Sequence, residues 1–198
     1  MDDTPKPWRL FIAIEVPAQV KAELTATQRE LRRLVPENAV RWVTPEQFHL
    51  TLRFLGGVAA ERVADLVTAL EITCRDFSPL ELKSEGIGFF PQRGLPRVIW
   101  AGANDQSGQL DLLQSAVQSV SQPFTNEEPE DRFHGHITFG RVKEIKRREA
   151  ESLQVRAVKL ADHTFGNWLC PELQLMRSQL SPSGAKHLVQ ASVPLGKR

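Results

Sequence analysis

The chain has 198 residues, of which 41% are hydrophobic and 25% charged, a composition that excludes an intrinsically disordered chain. Its formal net charge of +1 at pH 7 excludes a protein that coats nucleic acid duplexes, because such proteins carry clustered Lys and Arg. The two cysteines provide neither a disulfide framework nor a CxxC metal pair. The N-terminus lacks the apolar core of a secretory signal, and no run of about 18 apolar residues occurs, so we expect a cytoplasmic protein that does not enter a membrane.

Hydrophobic periodicity predicts the elements of the first half of the chain. Alternation over residues 9–16 predicts a strand, and apolar residues at helical spacing predict helices over about 18–34 and about 60–75. A short strand is predicted over 40–43. Another is predicted in the segment FHLTLRFLG, which ends at a pair of glycines.

The second half continues with short strands and further helices. Helices are predicted over about 107–121 and about 143–153, on either side of a polar, acidic loop over 122–131. The predicted strands are about 80–83, 86–90, 98–101, 133–140, 155–160, 165–169, 172–180 and 187–193. Irregular alternation with hairpin-like neighbours favours an α+β fold with mainly antiparallel sheet. Neither a GxGxxG nor a GxxxxGK[ST] loop is present, so no nucleotide-phosphate cradle of those types is indicated.

The pattern His-x-Thr occurs twice inside strand-like runs, at residues 49–51 in FHLTLRFLG and at residues 136–138 in FHGHITFGR. Because successive side chains of a strand alternate, each His and its Thr project from one face. The apolar residues around them are predicted to face the other way: Leu50, Leu52 and Phe54 in the first copy, Ile137 and Phe139 in the second. Two such strands side by side place two imidazoles around one small pocket, which suits acid–base chemistry on a phosphate ester.

The two halves of the chain have the same order of elements, since each contains a strand, a helix and then a His-x-Thr strand. This order predicts two similar lobes that face each other, with one motif on each side of a central cleft. We therefore expect residues 1–198 to form a single bilobal domain.

Four stretches resemble a known family: WRLFIAIEVP, RWVTPEQFHLTLRFLG, FHGHITFGR and LMRSQLSPSGAKH. They are similar to the two-histidine (2H) phosphoesterase superfamily, and within it to the RNA 2′,3′-cyclic phosphodiesterases, historically called 2′-5′ RNA ligases. The similarity extends from about Trp8 to about Val193. It implies a bilobal α+β fold, hydrolysis of RNA 2′,3′-cyclic phosphate ends to 2′-phosphomonoesters without a metal or other cofactor, RNA ends such as tRNA fragments as partners, and a monomer.

The resemblance also implies roles for individual residues. His49 is expected to donate a proton to the leaving 3′-oxygen, and His136 is expected to take a proton from water. Thr51 and Thr138 are expected to bind the non-bridging phosphate oxygens. Arg141 matches a family arginine near the phosphate, although simple alternation turns it away from the His136 face, so we expect a bulge at the adjoining glycine.

Other polar and aromatic residues are weaker candidates. Arg53 shares the predicted face of His49, and Phe11 lies on a strand face where it is a candidate to stack on a base. His134 forms a His-x-His pair with the second motif, but with no third ligand nearby in sequence we expect no metal site. His163 and His187 are expected at the surface or in loops. Gly135 replaces a Pro that the family usually has before its second motif histidine, and this leaves the rigidity of the pocket open.

Two further functions remain open at this point. The same pocket serves a ligase or phosphodiesterase that acts on 2′-5′-linked oligonucleotides or other nucleotides. A protein that binds RNA ends without turning them over is also compatible with the pattern, although all four His and Thr residues of the motifs are present. The sequence does not define the physiological RNA or its preferred base.

Overall fold

The computed structural model of the protein describes residues 6–181 and 184–196. Within these ranges the chain forms nine β-strands and four α-helices. The strands are β1 (Trp8–Glu15), β2 (Val40–Trp42), β3 (His49–Val58), β4 (Leu80–Phe90), β5 (Val98–Asn104), β6 (His136–Val142), β7 (Thr164–Cys170), β8 (Glu172–Ser181) and β9 (Gly184–Pro194). The helices are α1 (Ala18–Arg32), α2 (Val63–Cys74), α3 (Gln109–Ser121) and α4 (Arg147–Lys159).

The strands form one antiparallel sheet in the order β7-β4-β5-β6-β3-β1-β8-β9, and β2 adds a further pairing with β6. The two strands that carry the His-x-Thr motifs, β3 and β6, are therefore neighbours at its centre. Strands β1, β8 and β9 continue outward from β3, and β5, β4 and β7 continue outward from β6. The sheet curls into a half-barrel, and the predicted α+β fold with two similar halves is confirmed.

The sheet has one face that is covered by helices, called here the helix face, and one that carries the motif His and Thr residues, called the open face. Leu50 and Ile137 lie on the helix face, and both are 0% exposed. Gln28 of α1 reaches this face and donates its side-chain amide to the carbonyl oxygens of Val43 at 2.7 Å and Phe139 at 2.9 Å. Alternation along the strands thus buries the apolar side chains and leaves the motif residues on the open face.

Two predicted strand assignments change, and the helix predicted over about 143–153 is observed as α4. The strand predicted near 155–160 is wrong, because this segment is the C-terminal half of α4. Its branched residues favour a strand, but Val158 is 77% exposed, whereas Ala150 and Leu153 are buried at helical spacing. The strands predicted over 80–83 and 86–90 are one strand, β4, which continues through a bulge at Gly86. No helix in the described part of the chain is long and apolar enough to cross a membrane.

The contact between the two halves generates a stability prediction. Leu50 pairs with Ile137 where β3 and β6 meet, so Leu50→Ala should leave a cavity there and lower the free energy of unfolding by about 2–5 kcal/mol. Urea denaturation measures this change. Val158→Ala, on the exposed face of α4, is the control and should shift stability by about 0.5 kcal/mol or less. Equal effects of the two substitutions would contradict the central position of Leu50.

Candidate active site

Strand β3 contains a bulge immediately after its motif. Ala13 of β1 pairs with Thr51 and Ile12 pairs with Arg53, so Leu52 is an extra residue on β3. From this point the alternation is inverted. Arg53 faces the helices and is 2% exposed, whereas Phe54 is 46% exposed and its ring lies on the open face, 5.8 Å from Phe11. The predictions that Arg53 shares the face of His49 and that Phe54 points away from it are therefore wrong.

Strand β6 contains the same irregularity after its own motif. Trp100 of β5 pairs with Thr138 and Ile99 pairs with Gly140, which leaves Phe139 as the extra residue. The expected bulge beside Gly140 is thus confirmed. It turns Arg141 onto the open face, where its charge acts on His136. Arg141 consequently occupies in β6 the position that Phe54 occupies in β3.

The register between the motif strands brings the four motif residues together. Leu50 pairs with Ile137 in an antiparallel arrangement, so the register continues with His49 opposite Thr138 and Thr51 opposite His136. Directly opposite residues of such a pair have Cβ atoms roughly 4.5–5.5 Å apart, and diagonal ones roughly 7–8 Å. The imidazoles therefore stand diagonally, near enough for the charge of His136 to lower the pKa of His49.

The two catalytic candidates are held by the same kind of hydrogen bond. His49 donates its Nδ1–H to the carbonyl oxygen of Gln47 at 2.7 Å, and His136 donates its Nδ1–H to the carbonyl oxygen of His134 at 2.7 Å. A carbonyl oxygen only accepts, so each neutral ring carries its proton on Nδ1. Both rings therefore keep Nε2 available for proton transfer.

Burial makes both imidazoles hard to protonate in the free protein. Desolvation lowers the pKa of His49 to about 4, against the opposing effect of the Gln47 carbonyl. Desolvation also lowers the pKa of His136, and the charges of His134 and Arg141 lower it further. At neutral pH both rings are therefore uncharged until something anionic enters the site.

A third imidazole, His187, belongs to this site and was not expected there. Its ring lies in β9, with its centre 5.3 Å from that of His49 and 4.9 Å from that of Phe11. Its Nδ1 is buried without a hydrogen-bond partner among the described residues. The prediction of a surface position for His187 is wrong, whereas that for His163 is confirmed. The resemblance in the segment SQLSPSGAKH was the one signal in the sequence that included His187.

Aromatic side chains flank both motif histidines on the open face. Phe11 lies 5.0 Å from the His49 ring but is itself 2% exposed, so it supports that ring and offers little free surface to a base. On the other side, Phe90 lies 5.1 Å from the His136 ring, edge to face. Trp100 lies 6.2 Å from His136 and 4.6 Å from His134. Each proton-transfer candidate is thus held in a largely apolar setting.

Arg53 anchors the segment that leads into the second motif. Its guanidinium donates to the carbonyl oxygens of Glu127 and Glu128, both at 2.7 Å, and to the side-chain oxygens of Gln118 at 3.3 Å and Gln122 at 3.0 Å. Four acceptors occupy its terminal nitrogens, so the guanidinium positions the loop and is not directed to the open face. The acidic loop predicted over 122–131 is therefore fastened to β3 and α3.

The backbone at Gly135 lies too close to β5 for a side chain to be added without a shift. A Cβ at this position would lie 2.1 Å from the carbonyl oxygen of Ala103. The Gly135 carbonyl oxygen accepts a hydrogen bond from the Ala103 N–H at 3.0 Å. This hydrogen bond holds the segment before His136 against β5, although Gly135 stands where the family usually has Pro. The part of the chain that the structure describes contains no group of three or more His, Cys, Asp or Glu side chains arranged to hold a metal ion.

Paired imidazoles with available Nε2 atoms, hydroxyls across from each of them and a nearby arginine are groups that suit acid–base chemistry on a phosphate ester. Comparisons with known proteins agree with action on a phosphate ester. The family model described as LigT like Phosphoesterase matches residues 14–100, which include the first motif but not the second.

Curated relatives resemble the chain over most of its length. The RNA 2′,3′-cyclic phosphodiesterase of Archaeoglobus fulgidus is 32% identical over 177 residues, covering 89% of this chain and 94% of that protein. The enzyme of the same name from Methanocaldococcus jannaschii is 30% identical, with the same coverage. That from Thermus thermophilus is 31% identical over 187 residues, covering 91% of this chain and 87% of that protein.

Solved structures share the fold. A crystal structure of a Thermus thermophilus protein superposes with a TM-score of 0.77 at 29% identity, covering 96% of this chain and all of that one. Escherichia coli LigT complexed with 3′-AMP has a TM-score of 0.77 at 22% identity, covering 96% of this chain and 99% of that one. The chain belongs to the LigT-like phosphoesterases, and within them to the family of the RNA 2′,3′-cyclic phosphodiesterases.

The lowered pKa of His49 predicts a pH-dependent stability. The unfolded chain takes up a proton near pH 6.5, whereas folded His49 does so only near pH 4. The contribution of His49 to the free energy of unfolding is therefore full above pH 6.5 and is lost as the pH falls toward 4. Between pH 7 and pH 5 the wild type should lose about 1–2 kcal/mol more than His49→Gln in urea denaturation. His163→Gln is the control for loss of an exposed histidine. Identical pH dependence of the wild type and His49→Gln would contradict the buried, neutral ring.

Proposed function

We propose that the chain hydrolyses RNA 2′,3′-cyclic phosphate ends to 2′-phosphomonoesters, with the motif residues in the roles given below. Membership of the cyclic phosphodiesterase family gives the reaction class. The observation that carries the residue assignment is the shared environment of His49 and His136. They stand diagonally across one strand pair, and each is fastened through Nδ1 with Nε2 left for the substrate.

Ring opening needs an acid and a base on opposite sides of the phosphorus. His136 takes a proton from water through Nε2 while the water oxygen forms its bond to phosphorus. The bond from phosphorus to the 3′-oxygen breaks, and His49 gives its Nε2 proton to that oxygen. The phosphate stays on the 2′-oxygen. One proton enters His136 and one leaves His49, so the pair must exchange protons with solvent before the next turnover.

The threonines and the arginine stabilise the charge that builds on phosphorus. Thr51 lies across from His136 and Thr138 across from His49, so the two hydroxyls bracket the space between the imidazoles. There they donate hydrogen bonds to the non-bridging oxygens, which gain charge in the transition state. Arg141 adds a positive charge on the same face, near enough to act on His136.

The substrate itself supplies the charge that makes His49 an acid. The free site disfavours protonation of His49, because burial lowers its pKa to about 4. A cyclic phosphate is an anion, and an opposite charge within a few ångströms raises the pKa of an imidazole. Binding therefore couples to proton uptake at His49, whereas the charge of Arg141 continues to favour the neutral form of His136. The two rings thus acquire the different protonation states that the reaction needs.

Finer features of the function are part of the same proposal. Two imidazoles already provide the acid and the base, so the reaction is expected to proceed without a metal. RNA ends with a 2′,3′-cyclic phosphate, including those of tRNA fragments, are the expected partners, and the protein is expected to act as a monomer. Hydrolysis of such an end in the presence of a chelator separates this proposal both from a metal-dependent enzyme and from a protein that only binds RNA ends.

Removal of either imidazole should abolish most of the activity. His49→Ala and His136→Ala should each lower kcat for an RNA ending in a 2′,3′-cyclic phosphate roughly 10²–10⁴-fold, measured with EDTA present. The double variant should be no more than slightly worse, since the pair acts as a unit. His163→Ala is the matched control and should turn over normally. Near-normal turnover by either motif variant, with the fold verified by circular dichroism, would remove the two-imidazole mechanism.

The pH profile should reflect the lowered pKa of both histidines. With chemistry limiting, kcat/KM should follow a bell-shaped curve, because one ring must be protonated and the other neutral. Both limbs belong to imidazoles whose pKa lies below 6.5 in the free protein, so the optimum should fall on the acid side of that value. The curve for kcat should lie at higher pH, because bound substrate raises the pKa of His49. A rate that is flat between pH 5 and 9 would count against this scheme.

A further inference from the structure

Two arginines stand directly opposite each other beside the motif residues. Arg41 of β2 pairs with Arg141 of β6. Like charges in directly opposite positions of a sheet destabilise it. Within residues 6–181 and 184–196, neither guanidinium makes a salt bridge or donates a side-chain hydrogen bond. The fold thus places two uncompensated cations side by side.

The arginine pair lies on the open face. Gly140 pairs with Trp42, and the space above Gly140 on the helix face is filled by Val40 and Trp42. Alternation along β2 therefore turns Arg41 to the opposite face, together with Arg141. Arg41 is exposed, so its guanidinium is available to a ligand.

The register gives this pair a defined place next to the catalytic residues. Along β6 the open face carries His136, then Thr138, then, beyond the bulge, Arg141. Extending the Leu50–Ile137 alignment places Thr51 and His49 of β3 across from the first two, and Arg41 of β2 pairs with the third. The arginine pair thus follows Thr138 along the open face of β6, at a spacing of about 7 Å across the bulge, on the side of the site where His49 stands. His49 is the proton donor to the 3′-oxygen, so the ribose of the terminal nucleotide lies at this end of the site.

The corresponding position in the opposite half of the sheet carries no charge. Phe54 occupies the position in β3 that corresponds to Arg141 in β6, because both follow a motif and its bulge by the same number of residues. Phe54 packs near Phe11 in an aromatic group. The open face therefore carries arginines on the His49 side of the motif residues and phenylalanines on the Thr51 side. The two ends of the site thus differ in chemistry.

Resting on the proposed function, in which Arg141 serves the cyclic phosphate, we infer that the adjoining Arg41 binds the phosphate on the 5′ side of the terminal nucleotide, the one that joins it to the rest of the RNA. The spacing of about one strand repeat suits the span of a single nucleotide between its 2′,3′-cyclic phosphate and its 5′ phosphate. A guanidinium group holds a phosphate through charge-assisted, bidentate hydrogen bonds. Arg41 is thus a specificity residue that selects the end of an RNA chain over a free cyclic nucleotide without a 5′ phosphate.

A pair of minimal substrates tests this inference. Adenosine 2′,3′-cyclic phosphate with a free 5′-hydroxyl is compared with the same compound carrying a 5′-phosphate, and the ratio of their kcat/KM values is measured. The wild type should prefer the phosphorylated compound, and Arg41→Gln should lower that ratio roughly tenfold or more. Arg148→Gln, which removes an exposed arginine of α4 on the helix side of the sheet, is the control and should keep the ratio of the wild type.

The salt dependence provides a second readout. With a dinucleotide that ends in a 2′,3′-cyclic phosphate, Arg41→Gln should reduce the slope of log(kcat/KM) against log salt concentration by about 0.7, the value for one phosphate contact to a single strand. An unchanged ratio together with an unchanged slope would overturn the inference. So would a wild type that does not distinguish the two mononucleotides.

Direct binding separates this inference from the proposed function. Adenosine 2′-monophosphate and adenosine 2′,5′-bisphosphate are titrated calorimetrically into the wild type and Arg41→Gln. Tighter binding of the bisphosphate by the wild type, with the difference lost in Arg41→Gln, supports the phosphate contact even if no turnover is observed. An equal difference in both proteins overturns it. A wild type that turns over neither cyclic substrate overturns the proposed function, and the titration then still decides the assignment of Arg41.

Discussion

The pairing of Leu50 with Ile137 is the constraint on which the site depends. It is the contact at which the strand of the first motif meets the strand of the second. A slip of one residue in this register would turn every side chain of one strand to the other face. The buried Leu and Ile fix the register, since any other alignment would expose them and bury polar groups. Apolar packing on the helix face thereby places His49 across from Thr138 on the open face, and the amide of Gln28, which bonds the carbonyl oxygens of Val43 and Phe139, supports the same alignment.

The repeated bulge decides what surrounds the four motif residues. In both strands an extra residue follows the Thr, so the first exposed position afterwards turns back to the open face. With a similar backbone at this point in the two halves, the side chain at that position is one place where the site differs. It is an aromatic ring in β3 and an arginine in β6. A pseudo-symmetric scaffold therefore holds an asymmetric pocket, which a reaction with one acid and one base requires.

Local periodicity predicted most of the elements and the two motifs, because a period of two over a few residues needs no knowledge of the partner strand. It failed at Arg53 and Phe54, where a bulge inverted the alternation. The bulge beside Gly140 was expected only because simple alternation turned Arg141 away from His136. His187 was missed for a different reason. It reaches His49 through the pairing of β8 with β1 and of β9 with β8, contacts between opposite ends of the chain that no local pattern encodes.

The electrostatics of the site make its chemistry conditional on the ligand. Burial keeps His49 and His136 neutral at rest, which avoids two like charges a few ångströms apart in a half-buried pocket. The negative charge of an incoming phosphate raises the pKa of His49 and favours its protonated form, whereas the charge of Arg141 continues to oppose protonation of His136. The acid and the base therefore differ because of what stands near each ring, since the rings themselves are held alike. A neutral ligand of the same shape would leave His49 without its proton. Binding of an anion is therefore what both selects the substrate and protonates the acid.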